Sequence, residues 1–158
     1  MPTTYEPIAT NTLSTTASSI EFTSISGSYT DLVLVGEGTV STETTLYLQF
    51  NSDTGSNYSS TYLLGDGSAA SSGRWSSQSV IYLYNWKTGR NNLICQINNY
   101  SNTTTNKTTL TRLNTPSGYV VANVGLWRST SAITSIKISH GANFNSTTQF
   151  TLYGIKAA

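Results

Sequence analysis

The sequence predicts an all-β protein, a β-sandwich of jelly-roll type with about nine or ten strands, and three observations carry that expectation. Apolar runs of strand length alternate with Ser/Thr/Asn/Gly segments of turn size, and no segment shows the 3.6-residue period of a helix. The composition suits a sheet: Ser, Thr and Asn compete with helical backbone hydrogen bonds, whereas Thr, Val, Ile and Tyr fit a pleated surface. No internal repeat of fixed period is visible, which argues against a solenoid or propeller. At 158 residues one core suffices, in a chain that buries roughly 70% of its unfolded surface. The expected organisation is an extended N-terminal arm over residues 1–18 and a single sandwich domain over residues 19–158.

The arm is polar and Thr-rich, with Tyr5, Ile8 and Leu13 spaced along it and Pro2 and Pro7 holding it extended. It makes no core of its own, so those three residues are its candidate docking contacts, on its own domain or on a neighbouring subunit. Ile20 and Phe22 then alternate with polar residues, Gly27 and Ser28 supply a turn, and the nearly continuous apolar run ending in DLVLV at Val35 predicts a strand covered on both faces. Gly36 and Gly38 end it. From Thr45 to Phe50, Leu46, Leu48 and Phe50 point inward while Tyr47 and Gln49 point outward.

The loop NSDTGSNYSS precedes a short strand around Tyr62 to Leu64 and a GDG turn. Residues 68–78, Ser/Gly-rich with Arg74 and Trp75, read as an exposed loop. Val80 to Trp86 is the next strand, with Val80, Tyr82, Tyr84 and Trp86 on one face and Ile81 and Leu83 on the other. Leu93 to Ile97, Lys107 to Leu113 and Tyr119 to Trp127 follow, separated by polar turns. The last third gives the clearest alternation, with Ile136 and Ile138, then Phe150 and Leu152, on one face of their strands and predicted to be core.

Composition excludes several functions. Charged residues make up only 9% of the chain, against about 25% in ordinary domains, and the net charge of +1 supplies no field for nucleic acid. No run approaches the roughly 20 apolar residues of a membrane helix, and the N-terminus lacks the basic start and apolar core of a secretory signal. The expectation is synthesis in the cytoplasm of the producing cell. Five N-x-[ST] sequons, at Asn57, Asn99, Asn102, Asn106 and Asn145, arise from composition. Cys95 is the only cysteine, which excludes an intrachain disulfide or a cysteine-ligated zinc and reads as a small core residue.

Catalytic patterns are weak. His140, the only histidine, falls in SHGAN, read as a solvated turn, and there is no G-x-S-x-G elbow. The acids Glu6, Glu21, Asp31, Glu37, Glu43, Asp53 and Asp66 lie mostly in turns or on outward positions, and no pair is selected for glycoside hydrolysis. The oxygen-bearing series Asn51, Asp53, Gly55 and Asn57 is similar to a calcium loop, yet the twelfth position is Tyr62 rather than Glu and flanking helices are absent. No metal and no cofactor is expected. What remains is aromatic: ten Tyr and three Trp. Trp75, Tyr84 and Trp86 are candidates for a sugar-binding platform, where rings cover C–H faces, and Tyr82, Tyr84 and Trp86 equally for one core or subunit-contact face.

The segments YEPIATNTL, SISGSYTDLVLVGEG, YLQFNSDTGSNYSSTYLLGDG, INNYSNTTTNKT, GLWRSTSAITSIKIS and FTLYGIKAA span nearly the whole chain. In wording and order the chain resembles small structural proteins of tailed bacteriophages, notably those of marine cyanobacteria. The resemblance implies a non-enzymatic virion component with a β-sandwich, homotrimeric, acting as a capsid decoration, fibre or tail-appendage protein beside other capsid or tail proteins. The competing expectation is a receptor- or carbohydrate-binding module at a fibre tip, recognising a host surface glycan.

Overall fold

A computed structural model describes residues 4–116 and 118–156. Twelve strands follow one another, β1 (Tyr5–Thr12), β2 (Ala17–Phe22), β3 (Asp31–Gly38), β4 (Thr44–Phe50), β5 (Tyr58–Gly65), β6 (Ala70–Gln78), β7 (Ile81–Trp86), β8 (Asn91–Ile97), β9 (Lys107–Asn114), β10 (Val120–Trp127), β11 (Ile136–Phe144) and β12 (Gln149–Ile155), with no helix among the described residues. They form two antiparallel sheets, one of eight strands in the order β1-β12-β3-β8-β9-β10-β5-β6 and one of four in the order β2-β11-β4-β7. This is the expected sandwich of the jelly-roll kind, with more strands than the sequence suggested.

The last two strands supply core residues from opposite sheets, β11 as one of the two inner strands of the small sheet and β12 one place in from the edge of the large one. In the small sheet β11 lies between β2 and β4, setting Ile136 across from Phe22 and Phe50, and Ile138 across from Ile20 and Leu48. In the large sheet β12 lies between β1 and β3. Ile136, Ile138, Phe150 and Leu152 are all fully buried, as the alternation predicts. Cys95 is also core, and burial pushes its thiol up to about 11.

Three segments differ from the sequence reading. Residues 5–12 are extended as expected but form the edge strand of the large sheet, from Tyr5 opposite Ile155 to Thr12 opposite Gln149. Pro7, which cannot donate to a ladder, is tolerated at this edge next to a register shift at Ile8. Leu13 closes the segment through its N–H to the Thr148 carbonyl at 2.9 Å, and Ile8 and Leu13 pack against the core while Tyr5 stays half exposed beside Tyr153. Residues 17 and 18 already belong to β2, so the boundary at 18 separates no independent arm.

Of residues 68–78, only Ser68 and Ala69 are loop, and 70–78 form a strand. β6 pairs with β5 from Gly65 opposite Ala70 to Tyr58 opposite Gln78. Its Ser/Gly sequence has no apolar alternation, so its pairing rests on backbone hydrogen bonds and on one anchoring side chain, Trp75. The third difference is His140, which continues β11 instead of turning into solvent and is nearly fully buried. Gly141 allows this, because a Cβ there would lie 2.6 Å from Thr44 Oγ1.

Candidate functional site

β7 is the edge of the small sheet and lies against β10 and β5 of the large one. The large sheet continues past it to β6, so its last strands overhang the smaller layer. Aromatic side chains fill this step. Trp75 of β6 stacks on Tyr82 of β7 at 5.3 Å and 19° and meets Tyr62 of β5 at 4.9 Å. Tyr84 contacts Tyr62 at 4.8 Å and Tyr119 at 5.5 Å, and Tyr47 meets Tyr82 edge-on at 5.0 Å. All six rings are half-buried. Tyr62 reaches its place because Gly73 faces it, where a Cβ would come within 2.6 Å of the ring.

This ledge exists because β7 is irregular. Its register against β4 breaks between Leu46 and Tyr47, so that Leu46 opposes Tyr84 while Tyr47 opposes Tyr82, and Tyr84 is held at φ 96°. A non-glycine residue there costs about 1–3 kcal/mol, which the surrounding packing must offset. The break also changes the phase of the strand. Trp86, expected on the face of Tyr82 and Tyr84, instead turns into the core at 0% exposure, stacked on Phe150 at 5.7 Å and edge-on to Phe144. The sequence candidates thus divide: Trp75, Tyr82 and Tyr84 come together, and Trp86 does not join them. Tyr47, Tyr62 and Tyr119 complete the cluster and were not singled out in the sequence.

At one end of the ledge Tyr119 donates its hydroxyl to the Asn85 carbonyl at 2.9 Å, and Lys87 sits 5.0 Å from the Tyr119 ring while pairing with Glu43 at 3.6 Å. Burial, with Glu43 adding repulsion, holds the Tyr84 and Tyr119 hydroxyls above their ordinary values, so both stay neutral. No hydroxyl of Tyr62, Tyr82 or Tyr84, nor the Trp75 indole N–H, has a hydrogen-bond partner among the described residues.

A second surface lies on the outer side of the large sheet. In β9 the buried face is Lys107, Thr109, Thr111 and Leu113, and the exposed one carries Leu110 and Arg112. In β10 Asn123 and Gly125 face inward while Val120, Ala122 and Val124 face out. Leu63 at 65%, Val120 at 63% and Val124 at 52% exposed, with Leu110 and Ile94, make an aliphatic stripe over β5, β10, β9 and β8. The registers set Val124 opposite Leu110 and Ala122 between Leu63 and Arg112. Asn92, Ile94, Arg112, Asn114, Val120 and Ala122 line a depression of about 400 Å³ in this face.

The oxygen-rich loop after β4 is already engaged. Asp53 accepts the Trp127 indole N–H at 2.7 Å and the Asn57 amide at 3.0 Å on one oxygen, and the Gly55 N–H at 2.8 Å on the other. Asn51 Oδ1 accepts the Thr134 and Ser135 N–H groups at 2.8 and 3.1 Å. These oxygens are turned to N–H donors, the opposite of a cation cage. His140 is likewise structural: its ring nitrogens face the Thr44 carbonyl at 3.1 Å and the Ala142 N–H at 3.3 Å, which fits the neutral ring protonated on Nε2.

No family model and no curated protein matches the chain. Among solved structures it is similar to an exo-inulinase from Aspergillus awamori, at 13% identity and a TM-score of 0.51, over 96% of this chain and 30% of the inulinase. The chain thus spans less than a third of that enzyme's length, and the likeness speaks to fold alone. A galectin of Caenorhabditis elegans, at 8% identity and a TM-score of 0.43 over 94% of this chain and 96% of its own, is too distant to carry an argument.

Proposed function

We propose that the protein is a non-enzymatic structural component of a tailed-bacteriophage virion, a capsid decoration, fibre or tail-appendage protein that works as a homotrimer. The observation that carries this reading is the partly inverted patterning of β9 and β10. A sheet face turned to water normally carries polar residues and its inner face apolar ones, yet here Thr109, Thr111 and Asn123 lie inside beside Leu113, Val121 and Trp127, while Leu110, Val120 and Val124 lie outside beside Thr108, Arg112 and Asn114. Four strands about 4.8 Å apart, over roughly six residues of about 3.4 Å, give a patch on the order of 400 Å². That is the scale of the largest apolar patch on a typical monomer, and such a patch is often functional.

The occupant that fits is a second copy of the chain. The outer face has Arg112 set among aliphatic and amide side chains, the mixture found at subunit contacts, where arginine is enriched and other charges are depleted. Oligomers of one chain close symmetrically, and the phage-like segments point to an assembly of three. Purified particles of the virus encoding the chain, imaged to a density map, test the virion role. The reading predicts the sandwich at a copy number divisible by three; particles lacking the chain contradict it.

A further inference from the structure

We infer that the ledge of Trp75, Tyr62, Tyr82 and Tyr84 is a binding site for a neutral saccharide. It is separate from the aliphatic face assigned to assembly and does not depend on that assignment. Trp75 stacks on Tyr82 at 5.3 Å and lies tilted against Tyr62 at 4.9 Å, and all three rings stay half-buried, so the stack leaves part of its aromatic surface open to the C–H face of a sugar ring. The Tyr62, Tyr82 and Tyr84 hydroxyls and the Trp75 N–H lack partners among the described residues, which leaves donors and acceptors for hydroxyls at a sugar rim.

A third observation comes from beneath the rings. Asn123, 0% exposed, lies opposite Tyr62 in the sheet and donates to the Tyr82 carbonyl at 3.0 Å, while its Oδ1 has no partner. Ser60, opposite Trp75, is buried with an unpartnered Oγ. Unpartnered hydroxyls recur on this inner face at Thr109 and Thr111, so the layer under the rings is polar rather than apolar. The backbone points the same way, because Tyr84 is kept at φ 96° where glycine would be unstrained.

The charge pattern selects the ligand class. Among the described residues the ion pair bordering the rings is Lys87 with Glu43, which is internally neutralised and sits at the Tyr119 end; Arg74 alternates with Trp75 to the other, exposed face of β6, so the ring face offers no net charge to an acidic sugar.

Tryptophan emission reads the site directly, because Trp86 and Trp127 are 0% and 2% exposed and Trp75 is the half-buried indole. The full chain is titrated with neutral hexaoses of α- and β-linked glucose, mannose and galactose, and with hexagalacturonate, following emission and heat. A saturable signal with at least one neutral hexaose, none with hexagalacturonate, and at least tenfold weaker heat-detected binding in Tyr84→Gly is expected. Tyr84→Gly removes the ring where glycine suits the backbone, so it keeps the fold; Tyr62→Phe, which removes one hydroxyl, should weaken binding severalfold. No binding by any neutral probe, binding of hexagalacturonate alone, or wild-type affinity in Tyr84→Gly overturns the inference. A change in oligomer mass on Tyr84→Gly overturns it too, by making the ledge a subunit contact.

Discussion

The indole N–H of Trp127 donates to Asp53 Oδ2 at 2.7 Å, tying the end of β10 to the loop that follows β4, 74 residues away in sequence. Trp127 is 2% exposed and stacks on Tyr58 at 6.1 Å. Replacing Asp53 with Ala leaves a buried N–H without an acceptor, and the expected loss is about 1–3 kcal/mol, measured by urea denaturation.

The same contact sets an acid limit. The Trp127 N–H first, then the Asn57 amide, hold the Asp53 carboxyl below its ordinary 3.8. The folded state therefore binds that proton less readily than the unfolded one, and the stabilisation is present above about pH 3.8. It is lost as pH falls through the folded value. Asp53→Asn should show a flatter decline of melting temperature below pH 4 than the wild type; identical slopes would count against the contact.

His140 gives a second pH dependence in a different window. Burial pushes its pKa below 6.5, outweighing the Thr44 carbonyl that favours the charged ring. The unfolded state takes up the proton first, so stability declines as pH drops from about 6.5 toward the folded value. Denaturation midpoints between pH 7.5 and 5 should fall in the wild type, and this part of the slope should vanish in His140→Gln.

Core positions give the largest effects. Phe150 is fully buried between Trp86 and Phe144, so Phe150→Ala is expected to cost about 3–5 kcal/mol. Ile136→Asp or Leu152→Asp should prevent folding, seen as loss of the sheet signal in circular dichroism. Gly36→Ala should also destabilise, because the added Cβ would meet the Phe150 ring.

What could be read from the chain depended on whether one force decided the local structure. β11 and β12 were legible because their alternation and burial agree along Ile136, Ile138, Phe150 and Leu152. β6 was not, because its serines and glycine pair through the backbone and its single anchor, Trp75, leaves no alternation. Trp86 was misplaced because a simple period carries it with Tyr82 and Tyr84, whereas the conformation of Tyr84 changes the phase, and that strain is set by tertiary packing. The outer face could have been found: Thr109 and Thr111 alternate with Leu110, and the decisive question was which set faces inward. That depends on the neighbouring layer rather than on β9 itself.

The account rests most heavily on the outer face of the large sheet as a contact between copies. Light scattering of the full chain beside a Leu63→Lys, Val124→Lys double variant tests it, since both side chains are more than half exposed and their replacement leaves the core intact. The account predicts three times the chain mass for the wild type and one chain mass for a folded double variant. A wild-type monomer, or a double variant that remains trimeric, would contradict it.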